Sequence, residues 1–218
     1  MGHSTPSSSN EHHFAHHFKS AAHEFDACKF GVWVFLVTEV MMFGGLFVAY
    51  ALFHTLYPEA FFEAHTMLDR KMGALNTVVL ICSSLSMALA VGFAQRNERK
   101  KSQTMLVITI LCAFAFLVVK YFEYSHKIHD GLLPVKLFSN THLVAPKASL
   151  FYSLYFLMTG LHGFHVVLGI GLITWILLRT RRGEFSSQYF TPVEMVGLYW
   201  HFVDLVWIYL FPLLYLVG

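Results

Sequence analysis

Five long apolar runs constrain the fold of this chain more than any other feature. They lie at about residues 30–54, 73–94, 103–125, 149–178 and 195–217. A helix needs about 20 mostly apolar residues to cross the hydrocarbon core of a bilayer, and each run is long enough. The fourth run is also long enough to tilt or to project from the membrane. The sequence therefore predicts an all-α membrane protein, with a bundle of five transmembrane helices within residues 30–218.

Composition supports a membrane protein. Hydrophobic residues make up 56% of the chain and charged residues 13%, whereas soluble domains carry about 25% charged residues. The net charge of +2 is small and gives no reason to expect a nucleic-acid partner. Residues 1–29 form a polar, histidine-rich N-terminal tail without the features of a cleavable signal peptide. We expect the tail to lie along the inner membrane surface as an amphipathic segment, with metal binding as the alternative.

The positions of lysine and arginine predict the orientation. The tail and the loops at 95–102 and 179–194 carry nine of these residues, and the loops on the opposite side carry five. Cytoplasmic loops of membrane proteins are enriched in lysine and arginine. The N-terminus is therefore expected inside and the C-terminus outside, as five spans require.

Ionisable residues within the apolar runs are functional candidates, because a charge inside a bilayer costs several kcal/mol. Glu39 is the deepest carboxylate and has no basic residue within one helical turn. It is expected to be a partner-contacting or proton-conducting group, or a neutral acid bonded inside the bundle. Glu123 follows Lys120 by three residues, a spacing that allows an ion pair on one helix face.

Two further motifs place histidines in the membrane. The stretch "GLHGFHVVLG" contains His162 and His165 three residues apart, and we expect both on one helix face. The stretch "YWHFVDLVW" contains His201 and Asp204, again at i and i+3. These residues could form a proton relay, support a metal ligand, or hold helices together. A b-type haem would need two histidines that face each other across the bundle, and the spacing leaves this possibility open.

Taken together, these polar stretches resemble cytochrome c oxidase subunit III of the haem–copper oxidases. The similarity begins at "WVFLVTEVMMFGGLFVAY" and continues through "LNTVVLICSSLSMA" and "KYFEYSHKIHDGLLP". It is strongest at "YFLMTGLHGFHVVLG" and "YWHFVDLVWIYLFPLLYL". The five motifs occur in the family's order and extend over nearly the whole chain. The longer family form has seven spans, and this chain resembles the last five.

The resemblance implies an accessory subunit of a proton-pumping oxidase in a bacterial inner membrane. Its oxidase would carry electrons from cytochrome c to oxygen, with haem and copper in partner subunits and no metal or catalytic residue in this chain. The implied partners are oxidase subunit I, other oxidase subunits, phospholipids and a respiratory supercomplex. The resemblance implies buried polar or interface roles for Glu39, Glu123, His162, His165, His201 and Asp204. It implies binding of a lipid phosphate for Arg179.

Other functions stay open at this stage. The nearest is subunit III of a quinol oxidase, which also has five spans; a relative associated with nitric oxide reductases is another. A different class is an integral di-haem b-type cytochrome, in which the membrane histidines would be ligands. An ion channel would need a continuous polar stripe, and the carboxylates are too sparse for one.

Overall fold

A computed structural model describes residues 21–132, 148–185 and 189–217, and of residues 21–25 it describes the backbone only. The predicted tail lies mostly outside these residues. Within them the chain is helical, and five helices are long and apolar enough to cross a membrane. The prediction of five spans is thereby confirmed. The helices are α1 (Ala21–Leu56), α2 (Pro58–Thr66), α3 (Arg70–Gln95), α4 (Arg99–His129), α5 (Ala148–Arg182) and α6 (Thr191–Tyr215).

The helices continue beyond the apolar runs into their polar flanks. Helix α1 begins at Ala21, so residues 21–29 of the predicted tail belong to the first helix. Helix α5 has 35 residues and is about 50 Å long at 1.5 Å per residue, well beyond the thickness of the hydrocarbon core. Apolar runs mark the part of a helix in lipid, and the backbone hydrogen bonds continue until a stop signal ends them.

Several helix ends follow from local sequence. Asp69 caps α3, because its Oδ1 accepts from the backbone N–H of Lys71 at 2.8 Å. Asn97 adopts a left-handed conformation (φ 59°) in the turn between α3 and α4, which asparagine tolerates better than most residues. Gly183, with φ 78°, ends α5 in the same way. The short helix α2 has Pro58 at its start, and it was not anticipated because nine residues cannot span a membrane.

The core lies between α3, α4, α5 and α6. Helices α3 and α4 form the most extensive contact, as an antiparallel hairpin, and α6 packs against both α3 and α5. Helix α1 packs on the outside against α5 and α6 and is the least buried of the five spanning helices. Many of its large apolar side chains, such as Trp33, Val37 and Met41, are exposed in this chain.

Candidate functional site

The buried polar groups of the bundle form the candidate site, and the best-connected of them is centred on Lys120. This residue and Glu123, both on α4, are 7% and 3% exposed. The Lys120 ammonium donates to Glu123 Oε2 at 2.9 Å, to Tyr215 at 3.0 Å and to Tyr155 at 3.2 Å. Glu123 Oε1 accepts from Tyr155 at 2.8 Å and from Tyr215 at 2.5 Å.

This arrangement satisfies every hydrogen-bonding proton of the Lys120 ammonium. The pair predicted from the sequence spacing is present, but the two tyrosines from α5 and α6 were not predicted. They bring the ends of three helices to one charged pair. A buried ion pair needs such additional hydrogen bonds to offset its loss of hydration. The cluster is therefore a structural junction in the half of the bundle where α4 ends.

Glu39 pairs with His165 between α1 and α5. The His165 Nδ1 donates to the carbonyl of Leu161 at 2.7 Å, because a carbonyl oxygen only accepts. The other ring nitrogen, Nε2, lies 3.0 Å from Glu39 Oε2. The pair is thus either a carboxylic acid on a neutral imidazole or a carboxylate on an imidazolium. Both forms share one proton and have no net charge, which suits a site in lipid.

His162 lies elsewhere, although it precedes His165 by only three residues. Its ring contacts Phe116 of α4 at 5.4 Å and Trp207 of α6 at 5.2 Å between centroids. His165 instead faces α1, with Phe43 at 5.4 Å. The two histidines, which we expected on one helix face, thus contact different neighbouring helices. Three residues advance a helix by about 300°, so the two side chains diverge by about 60° and meet different helices.

His201 and Asp204 do not form a pair with each other. His201 Nδ1 is 2.8 Å from the hydroxyl of Ser84 on α3, so it joins α6 to α3. Asp204 is 2% exposed, and neither carboxyl oxygen has a hydrogen-bond partner among the described residues. Ser84 also lies near this carboxyl.

Sequence reasoning missed two tryptophan bonds that join α6 to α3. Trp200 Nε1 donates to Ser83 Oγ at 2.9 Å, and Trp207 Nε1 donates to Thr77 Oγ1 at 3.1 Å. A signal was present, because the tryptophans are seven residues apart and therefore lie on one helix face. Gly169 of α5 belongs to this contact, since a Cβ there would lie 2.5 Å from the Trp200 ring. The small residue allows the close approach of α5 and α6.

Arg179 lies at the end of α5, with a quarter of its side chain exposed. Its Nε donates to Glu184 Oε2 at 2.5 Å. Its guanidinium lies over the rings of Trp175 and Phe185, at 5.0 and 5.2 Å from their centroids. The aromatic rings hold the guanidinium plane in place, while the nitrogens not bound to Glu184 remain able to bind an anion.

Comparisons with known proteins place this arrangement in a family. The family model for cytochrome c oxidase subunit III matches residues 9–218. Cytochrome c oxidase subunit 3 of Synechocystis sp. is 35% identical over 88% of this chain and 76% of its own length. Quinol oxidase subunit 3 of Bacillus subtilis is 30% identical over 86% of each chain. A heme-copper oxidase subunit I+III of Aeropyrum pernix is 30% identical over 88% of this chain and 23% of its own length.

The family-model match extends over the five spanning helices and the buried polar groups described above. The comparisons support a multi-pass protein of the bacterial plasma membrane. With a family model that matches nearly the whole length, the chain belongs to the cytochrome c oxidase subunit III family, the accessory subunits of haem–copper oxidases.

Proposed function

We propose that this chain is a non-redox subunit III that packs on subunit I of a cytochrome c oxidase. The observation that carries this proposal is the divergence of the membrane histidines. His162 faces α4 and α6, His165 faces Glu39 of α1, and His201 faces Ser84 of α3. A b-type haem needs two histidines on opposite sides of one plane, and these three do not converge. Haem and copper are accordingly assigned to the partner subunits.

The partner is assigned from the fused relative and from the exposure of α1. In Aeropyrum pernix one chain bears the name of both subunit I and subunit III, which supports a stable contact between the two. Helix α1 has the least buried surface of the spanning helices, and Glu39 is 14% exposed at its contact with α5. We assign the α1 side, with Glu39 near its centre, to the contact with subunit I.

Cytochrome c is the proposed electron donor, and a quinol is the second candidate because of the Bacillus subtilis relative. The test is to purify the oxidase through a tag on this chain and to supply each donor separately. Oxygen uptake with reduced cytochrome c, and none with a quinol, is the expected result. Uptake with a quinol alone would assign the chain to a quinol oxidase and would leave its role as subunit III intact.

Arg179 is proposed to bind a phospholipid phosphate at the inner edge of the bundle. The basic residues Arg96, Arg99, Lys100, Arg181 and Arg182 lie at the same end, as expected for the cytoplasmic side. We therefore propose that the N-terminus is inside and the C-terminus outside. An arginine fork held near the headgroups suits a phosphate. For the residues that precede α1, an amphipathic segment along the inner membrane surface stays a prediction.

The lipid assignment is tested by counting phospholipids that remain with the purified complex. Arg179→Ala should lower the number of tightly held phospholipids, as measured by mass spectrometry of the extracted lipid. Arg181→Ala is the matched control, because Arg181 is exposed at the same end of α5. Equal lipid content in the two variants would contradict the assignment.

Membership of a larger supercomplex is tested on the same sample, by the presence of further respiratory subunits in a gentle pull-down.

A further inference from the structure

His201 presents a polar atom to the surroundings of the bundle at mid-membrane. Helix α6 (Thr191–Tyr215) has 25 residues, and His201 lies about 15 Å along the axis from its start and about 21 Å from its end. The hydrocarbon core of a bilayer is about 30 Å thick, so His201 is well inside it. The side chain is partly exposed at this depth.

One of the two ring nitrogens of His201 has a partner among the described residues, and the other does not. Nδ1 lies 2.8 Å from Ser84 Oγ, and no residue of the described part of the chain bonds Nε2. Nε2 is not one of the enclosed polar atoms of the interior either, so it opens onto the outer surface. A neutral imidazole bonds through both nitrogens, one as donor and one as acceptor. The second nitrogen therefore needs a partner from outside the described residues.

Hydroxyl groups on the outer helix surfaces do not have this need. The Thr38 hydroxyl donates to the carbonyl of Phe35 at 2.6 Å, and the Thr174 hydroxyl donates to the carbonyl of Ile170 at 2.7 Å. Such groups are satisfied by the backbone of their own helix, whereas Nε2 of His201 has no bond of this kind. Acyl chains cannot form hydrogen bonds, and bulk water is absent at this depth. The missing partner is therefore a polar group that another molecule brings into the membrane.

His201 lies on the floor of a groove that runs along α6. Leu205 and Ile208 follow it at i+4 and i+7, on the same stripe of the helix, and they are 51% and 49% exposed. Helix α1 forms one wall, where the Phe47 and Tyr209 rings lie 6.3 Å apart. Helix α3 forms the other wall, which the bond of His201 Nδ1 joins to the floor. The stripe formed by His201, Leu205 and Ile208 between these walls is called the α6 groove below.

We propose that the α6 groove receives a transmembrane helix of subunit I, and that a hydrogen-bonding side chain of this helix bonds Nε2 of His201. A helix satisfies its own backbone in lipid and can therefore occupy an apolar groove at this depth. Contacts between transmembrane helices combine close packing with hydrogen bonds between side chains, as an apolar stripe with one imidazole requires. His201 would thus join α3 to the partner through its two nitrogens.

This inference rests on the proposed function, which assigns the α1 side of the chain to subunit I. It extends that contact past α1 onto α6 and names the polar atom that the partner meets. The relative from Aeropyrum pernix, which bears the names of both subunits in one chain, supports a stable contact of this kind.

Two amide variants separate a bond to the partner from the bond to Ser84. The amide of His201→Asn reaches the position of Nδ1, and the amide of His201→Gln, one carbon longer, reaches that of Nε2. Both amides donate and accept. His201→Asn should lower the haem per chain in a pull-down through this subunit about fivefold, and His201→Gln should retain most of it. The reverse order would mean that His201 only joins α6 to α3, and it would overturn the proposal, as would equal haem in the two variants.

Photochemical cross-linking tests the groove with His201 intact. A benzoylphenylalanine is placed at Leu205 in the groove or, as the control, at Leu111 on α4, which is 62% exposed. Illumination of the purified complex should join the probe at Leu205 to subunit I and the probe at Leu111 to lipid, as identified by mass spectrometry. Cross-links from Leu205 only to lipid, to a quinol or to a second copy of this chain would overturn the proposal. An unmodified complex without haem would instead contradict the proposed function, so the two failures are distinguishable.

Discussion

The buried pair of Lys120 and Glu123 allows the sharpest prediction about stability. Removal of one partner from a buried ion pair leaves a charge without compensation and typically costs about 3–5 kcal/mol. Here both side chains are more than nine-tenths buried, and the ammonium has three bonds at 2.9–3.2 Å. Glu123→Gln should therefore lower the free energy of unfolding by about 3 kcal/mol, a change of about 10²-fold in the unfolding equilibrium.

The assay is reversible unfolding of the purified chain in mixed micelles by added denaturing detergent. Lys120→Met should be similarly destabilising, since Glu123 would keep only the two tyrosine donors. The double variant Lys120→Met/Glu123→Leu should recover much of the loss, because it removes both charges together. A cost below about 1 kcal/mol for each single variant would refute the reasoning. That result is typical of a solvent-exposed pair and would mean that the cluster is hydrated in the membrane.

Two further predictions concern other helix contacts. Gly169→Ala should destabilise the bundle by about 1–3 kcal/mol through overpacking, because its new methyl group would lie 2.5 Å from Trp200. Gly171→Ala is the control, since nothing lies within 4 Å of a Cβ there. Equal unfolding free energies for the two variants would contradict the close packing of Gly169 against Trp200. Glu39→Gln should leave haem content and copurification with subunit I unchanged, because the glutamine amide can still donate to His165 Nε2, which is an acceptor when Nδ1 bonds Leu161. A loss of haem, measured by the absorption spectrum of the pulled-down complex, would show that the assignment of Glu39 is wrong.

The sequence predicted the spanning helices well because the bilayer imposes a simple rule. Each span needs a long apolar run, and polar segments separate the runs. The ends were less predictable, as at residues 21–29 and in α2, because helices continue into water wherever the backbone remains bonded. The ion pair of Lys120 and Glu123 could be predicted from the sequence, since both residues lie on one helix at a fixed spacing.

Contacts between helices were largely inaccessible to sequence reasoning. The spacing of His201 and Asp204 suggested a pair, yet His201 bonds Ser84 of α3 instead, because the packing of α6 against α3 decides which side chains meet. The same holds for Glu39 and His165, which are far apart in the chain and meet only through the packing of α1 on α5. Tertiary packing assigns such partners, and periodicity on one helix does not contain that information.

The central claim is that this chain is an accessory subunit whose buried histidines join helices and bind no haem. The most direct test is haem per polypeptide, measured for the tagged chain expressed alone and for the complex pulled down from native membranes. The account predicts haem and oxygen consumption in the native complex and no haem on the isolated chain. Stoichiometric haem on the isolated chain would contradict it and would make His162, His165 and His201 candidate ligands again.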